Sequence, residues 1–577
     1  MTDIWDFGRE SEWRKVPGRY RKMYRTTLAC GLLAHAFALT NILQNHDNMN
    51  SLPDGYGTGI ESGRWLLELI ADVFPQFWGG SQNNSWFNGI VTLLVLSLSA
   101  CVIAAVFRIG QRPEGCLWGA VFICFPTVTS SFFYIFTAPL YSFSVLMAVC
   151  AVYVTARYRK GWIAGMVLSA LSMGIYQAFF PLTASLLVIS VIWYVLGDEE
   201  DIRQLWMRGI RCVLMLVGAL VIYLVVLKVS IAVLGTELYS YRGINQIGTF
   251  RGFHETWEII KAEYKNFFLL PFQNYMGITC TWAIRIMLMI ILVIAIVSLA
   301  WAWLFACDRG RKVLLAFCLA CFPFTVNAIL LMCPDTEVYT LMEYAISAVF
   351  LLPLALLHRI WILYEKQHTP AQAEADGGTD RPQDISAETA GTEATEVKAA
   401  DRMAGTKREQ KRGHRGLVRG AALVLAGAYV ILTLNYAWVD TINYTAAYYT
   451  SEQTLSFFTT LVTQVKETEG YRTGLPWAFI GTHIKDDNFA NGWGVSLGGM
   501  RLGGNAMRLI NKYSRNNFIR FYTGYIVHYA TSEQIQELRA MDEVVNMPRY
   551  PADGSIQIIN DVIVIRINDE LETNQVF

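Results

Sequence analysis

The sequence predicts a polytopic α-helical membrane protein of about eleven spans, with a small α/β domain after the last span. Three observations carry this fold class. The 577 residues are 54% apolar and only 16% charged, and mean hydropathy is positive, which is too apolar for an ordinary soluble protein of this size. Apolar runs recur at about 17–25 residues, the length a helix needs to cross hydrocarbon. Basic residues gather at alternate turns between those runs, as they do where loops stay in the cytoplasm.

The elements follow in order. Residues 1–25 carry Arg9, Arg14, Lys15, Arg19, Arg21, Lys22 and Arg25, which place the N-terminus inside. The first span is 26–43, and the loop after it is outside. In 63–78, Trp65, Leu66, Leu69, Ile70 and Val73 share one helical face and Glu68 and Asp72 another. That pattern suits a short amphipathic helix on the membrane surface. Spans follow at 86–107, closed inside by Arg108 and Arg112, and at 116–133. The fourth ends at Ala156 before Arg157, Arg159 and Lys160; the short fifth is 161–174, and the sixth runs to Leu196. The seventh is 212–234. A polar, aromatic stretch at 235–281 is outside, with Arg242, Arg251 and His254. The eighth is 282–305, the ninth ends near Met332, and the tenth runs to Leu363. Residues 367–416 are rich in Ala, Thr, Glu, Gly and Lys, which predicts a disordered cytoplasmic linker. The eleventh span, 417–438, leads to an extracytoplasmic domain at 439–577.

In that last domain 441–465 reads as a helix and 477–481 as a buried strand. Thr531 to Gln534 forms a capping box, and 555–559 and 562–567 alternate across Asn560-Asp561 as a hairpin. Formal net charge is zero, so no basic field for nucleic acid exists. The eleven cysteines lie between Cys30 and Cys333, mostly in apolar runs, and form no disulfide framework or paired CxxC…CxxC metal pattern. The basic start of the chain does not read as a cleavable signal peptide. His46 and His254 are isolated in sequence, and Asp486-Asp487 reads as a turn.

The chemistry points to the loop 45–65, NHDNMNSLPDGYGTGIESGRW. It gathers Asp47, Asp54, Glu61 and Arg64 between two spans, where charge is costly unless it faces water or serves function. A carboxylate there can act as general base on an acceptor hydroxyl, and a planar guanidinium suits the phosphate of a lipid carrier. The bland alternative is a solvated acidic loop. A transporter would favour repeats and mid-membrane charge; no repeat is found, and Lys228 and Glu343 lie near span ends. A non-catalytic envelope-assembly protein working through its C-terminal domain is a third class.

The basic tail, single span and acidic loop with a surface helix are similar to the membrane glycosyltransferases of the GT-C class. More narrowly, HDNM…SGRWLLE, GIYQAFF at 174–180 and MPRYPADGSIQIINDVIVIRI at 547–567 resemble the bacterial and phage O-antigen glucosyltransferase family of the type II Gtr kind. The resemblance implies transfer of a sugar, glucose, from undecaprenyl phosphate to a cell-envelope glycan or lipid-linked acceptor at the outer face of the cytoplasmic membrane. It puts the first-loop acid at Asp47. Relatives often carry two adjacent acids; here one Asp follows His46, leaving Asp54 and Glu61 as candidates for the second. Arg64 would bind phosphate or hold the loop. Tyr176 and Gln177 would line the sugar pocket, where the bland reading is an aromatic belt with a helix-end amide. Trp65, Arg242 and Arg251 are further candidates for binding substrate. One prominent acid, rather than a nucleophile pair, predicts inverting displacement. No cofactor is expected, and nothing in the sequence indicates a divalent cation.

Overall fold

The computed structural model describes residues 10–43, 45–50, 59–78, 84–110, 112–238, 252–272, 281–305, 307–332, 338–368, 390–481 and 512–567. The helices are α1 (Glu10–Thr40), α2 (His46–Asn50), α3 (Trp65–Trp78), α4 (Ser85–Val106), α5 (Pro113–Ile123), α6 (Pro126–Phe133), α7 (Ala138–Arg157), α8 (Gly161–Ile175), α9 (Phe180–Val195) and α10 (Ile202–Leu234). Then come α11 (Phe253–Leu269), α12 (Trp282–Phe305), α13 (Arg309–Asn327), α14 (Ile329–Met332), α15 (Ser347–His368) and α16 (Ala390–Glu467), with α17 (Lys512–Phe518), α18 (Ser532–Ala540) and α19 (Asp542–Asn546) near the C-terminus.

Every expected span falls on a helix, but among the described residues nine helices are long and apolar enough to cross a membrane. α8, at 15 residues, reaches about 22 Å, short of the ~30 Å hydrocarbon thickness. α1 spends its first half on the basic stretch, which leaves only 26–40 apolar. The third expected span is two helices, broken where Pro126 opens α6, because its ring removes a helical hydrogen bond and clashes with the turn before it. Burial sorts the bundle. Pro113–Phe133, Gln177–Val195 and Tyr344–Leu363 are central, 89%, 83% and 78% buried, while Ile202–Leu234 is 28% buried. On α10 the exposed side carries Val213, Val217, Val221, Val225, Val229 and Val233, one every fourth residue. That is an apolar stripe suited to lipid. In α3, Leu67 is the residue packed fully inward, while Leu69 and Val73 of the expected apolar face stay exposed.

The end of the bundle opposite the loop 45–65 is basic and tightly paired. Arg359, fully buried, forms a two-pronged ion pair with Glu199. Arg208 pairs with Glu200 through Nε at 3.0 Å, and Arg311 donates to the carbonyls of Val195 and Glu200. Burial works to raise the Glu199 carboxyl, but the Arg359 guanidinium outweighs it and holds the group below the usual carboxylate range.

α16 differs from expectation at both ends. It starts at Ala390, so the latter part of the stretch expected to be disordered is helical, in keeping with its Ala, Glu, Lys and Arg content; 369–389 lie outside the described residues. It also runs through the expected span boundary at Trp438, because no glycine or proline interrupts 428–467.

After α16 a three-stranded sheet forms in the order β1 (Trp477–Ile480), β3 (Val562–Arg566), β2 (Ile556–Ile559). β1 runs parallel to β3, and β2 antiparallel. Asn560 and Asp561 both take positive φ, 51° and 58°, as a two-residue hairpin turn requires. Strand alternation fills both faces. Trp477, Phe479, Ile563 and Ile565 pack on Phe458, Leu461 and Val465 of α16. Ala478, Ile480, Val562 and Val564 pack on Leu538 and Val544. The expected capping box at Thr531 and Gln534 opens α18.

Candidate active site

The site is built from two turns that follow α1. In the first, Asn45 Oδ1 accepts from the Asn48 amide at 2.7 Å and starts the single turn of α2. Asn48 Nδ2 then donates to the carbonyls of Leu43 and Phe133, at 3.0 and 2.7 Å, tying the turn to the ends of α1 and α6. Asp47 sits on this turn, half-buried.

The second turn is a 3₁₀ turn, Ile60–Ser62, closed by Gly63 at φ 74°. Only glycine fits there. A Cβ would lie 2.6 Å from Gln177 Nε2 and 2.7 Å from the Tyr223 hydroxyl, besides being strained by the left-handed backbone. Those two side chains hold the turn. Gln177 Nε2 donates to the Ser62 carbonyl at 3.0 Å and to Tyr223 Oη at 2.9 Å; Tyr223 in turn donates to the Gly63 carbonyl at 3.0 Å. Gln177 lies in the 3₁₀ turn Gln177–Phe179 between α8 and α9, and Tyr223 on α10. Trp65 packs beside them against Ala170, Met173 and Leu227, and Gly174 lets its indole approach to where a Cβ would stand 2.6 Å away.

Pinning this loop fixes Arg64. Its Nη1 donates to Tyr141 Oη at 3.1 Å, and its guanidinium lies 4.9 Å from the Tyr176 ring centre. The two tyrosine rings stack on one another at 4.6 Å, so Arg64 rests on a preformed aromatic pair. Burial works against its charge, yet Tyr141, Tyr176 and Asp47 outweigh burial and raise its pKa. Tyr141 also lines a narrow cleft with Thr92, Thr127, Ser131, Phe179 and Tyr344. Glu343, buried between the turns Thr340–Met342 and Tyr344–Ile346, lies at this end of the bundle too.

The structure therefore brings together Asp47, Arg64, Trp65, Tyr176 and Gln177. Glu61 is half-buried in the 3₁₀ turn between them. Asp54, Arg242, Arg251 and the Asp486-Asp487 pair lie outside the described residues. Sequence reasoning missed Tyr141, Tyr223 and Asn48. The one available signal was the tyrosine itself: Tyr223 interrupts a long aliphatic run, where a phenol needs a partner. Among the described residues no three His, Cys, Asp or Glu side chains gather to hold a metal ion.

Comparison with known proteins gives a family match. The family model described as Glucosyl transferase GtrII matches residues 36–352. That range is more than half of the 577 residues and contains every site residue named above. No curated protein and no solved structure matches the chain. With the Arg64 and Tyr176 turns both inside the matched range, the chain belongs to the Glucosyl transferase GtrII family.

Proposed function

We propose that this multi-pass glucosyltransferase moves glucose from an undecaprenyl-phosphate carrier to a cell-envelope glycan acceptor, at the outer face of the bacterial cytoplasmic membrane. The single observation that carries the reading is the Arg64 guanidinium, held on the stacked Tyr141–Tyr176 pair beside Asp47. Such a group is oriented for a phosphate before any ligand arrives. In the reaction, the Asp47 carboxylate takes the proton of an acceptor hydroxyl. The acceptor oxygen forms a bond to the anomeric carbon as the bond to the carrier phosphate breaks, and Arg64 balances the charge left on that phosphate. Attack opposite the leaving group inverts the anomeric configuration. Asp54 or Glu61 serves as the second acid, Gln177 and Tyr176 border the sugar, and Arg242 and Arg251 assist donor binding.

Two further features support a membrane-bound donor. Leu69 and Val73 on α3 are exposed directly after the Arg64 turn, as a helix lying in the lipid interface requires. The arginine-rich ends of the helices lie opposite this loop, in keeping with a cytoplasmic N-terminus and extracytoplasmic loop and C-terminal region.

The test is transfer of radiolabel from undecaprenyl-phosphate glucose by the purified protein in detergent, for wild type and Asp47→Asn. We expect transfer by wild type to lipopolysaccharide glycan, and a fall of about 100-fold or more in Asp47→Asn, the range for loss of a general base. Wild-type binding of the donor without transfer to any glycan, or transfer undiminished in Asp47→Asn, overturns the assignment.

A further inference from the structure

The C-terminal region, which lies outside the family match, reaches back to the turn that carries Asp47. Met49 is fully buried. It belongs to the same apolar cluster as Phe457, Phe458, Leu461 and Phe518 of the C-terminal region. Asn517 Nδ2, on α17, donates to the Met49 carbonyl at 3.1 Å. α17 is itself fixed. Phe518 stacks on Tyr522 at 4.5 Å, and the Arg515 guanidinium lies 3.7 Å from the Phe479 ring centre on β1.

Successive residues on a helical turn project about 100° apart. Asp47, Asn48 and Met49 thus leave α2 in three directions. Asp47 acts electrostatically on Arg64, Asn48 is bonded to the ends of α1 and α6, and Met49 enters the C-terminal core. A single turn of helix moves as one piece, so any shift of Met49 rotates Asp47 about the Asn48 bonds. From this geometry we infer that Met49 and Asn517 are positioning residues, through which the C-terminal region sets the orientation of the Asp47 carboxylate against Arg64. The inference rests on the role given to Asp47 above. It makes the soluble region part of the catalytic apparatus, although it contributes none of the groups assigned to the reaction.

The experiment compares full-length wild type, Met49→Ala, Met49→Leu and Asn517→Ala, with Arg472→Ala as control; Arg472 forms an exposed ion pair with Asp561. Steady-state transfer from undecaprenyl-phosphate glucose is measured for each. We expect kcat to fall at least about tenfold in Met49→Ala and Asn517→Ala with the donor KM little changed, as misorientation of a catalytic group predicts. Met49→Leu, similar in volume, restores most of the rate, and Arg472→Ala matches wild type. An unchanged kcat in both damaging variants overturns the inference, as does a loss that Met49→Leu fails to restore. Hydrogen exchange at the Asn48 and Met49 amides, both bonded to Asn45, is read on the same proteins and does not depend on turnover. Faster exchange in Asn517→Ala, even where wild type transfers nothing, keeps the clamp and sinks only the proposed reaction. Unchanged exchange sinks the clamp itself. Asn517→Ala removes the half-buried hydrogen bond to the Met49 carbonyl and leaves the apolar cluster intact, so it remains informative if Met49→Ala does not fold.

Discussion

The two ends of the bundle use arginine differently. At the basic end Arg359 and Arg208 are closed into ion pairs with Glu199 and Glu200 and also lie over the Trp193 and Tyr194 rings, at 5.0 and 3.6 Å, and Arg311 donates to backbone carbonyls. At the loop end Arg64 lies over the face of Tyr176 and donates to the hydroxyl of Tyr141, with the Asp47 charge acting across the site. Both ends lay a guanidinium over an aromatic ring, and the second contact differs: a close carboxylate fixes a connection at the basic end, whereas a phenol hydroxyl orients the group at the loop end. In the proposed reaction the same side chain is thus a rivet at one end and a binding group at the other.

Removing each arginine tests this contrast most severely. Arg64→Ala is expected to lower transfer by about 100-fold or more while the protein remains folded and monodisperse, and Arg64→Lys to restore little, because an ammonium neither forks to phosphate nor stacks. Arg359→Ala is expected to do the reverse. Removing one partner of a buried pair costs on the order of 3 kcal/mol, so thermal unfolding in detergent shifts strongly while the surviving folded fraction keeps its turnover. Equal loss of activity per folded molecule in both variants would erase the distinction.

Tyr223→Phe sharpens the comparison at smaller scale. It removes the hydroxyl that links Gln177 to the Gly63 carbonyl, leaving two buried groups short of a partner at about 1–3 kcal/mol. Turnover should fall by roughly tenfold through misplacement of Arg64, with the donor KM and the kcat read separately.

The smallest expected effect concerns a buried carboxyl away from both arginine sites. Glu263 on α11 is fully buried, and burial pushes its pKa up from 4.5 to about 8. Its folded-state value lies above the unfolded one, so the stability it contributes is fully present below about pH 4.5 and is lost as pH rises through about 8. Wild type should therefore melt lower at pH 9 than at pH 6. Glu263→Gln should flatten that slope. A slope unchanged by the substitution would show that other groups set it.

Much of this architecture was legible in the sequence because it is local. Apolar runs marked the helices, the 562–567 alternation marked β3, and the Asn560-Asp561 pair marked its turn. Within the site, Arg64 and the Tyr176-Gln177 pair stood out as polar groups next to predicted spans. Their partners did not. Tyr141 meets Arg64 across 77 positions and Tyr223 meets Gly63 across 160, and such contacts leave no period or spacing to read. The face of α3 was harder for another reason. In a membrane protein an apolar face can meet lipid as well as core, so the pattern that grouped Leu69 and Val73 with Leu66 could not say which of them would be buried.

The unbroken course of α16 has a mechanical consequence. From Gly420 to Glu467 it is one rod of 48 residues, about 70 Å long. Its lower part is set by the thickness of the bilayer and its upper part is embedded in the core that receives Met49. A rod tilts as a whole, so a thinner membrane that leans its foot swings its head through an arc. The turn proposed to carry the general base rides on that head, so under the proposed reaction bilayer thickness becomes a lever on turnover.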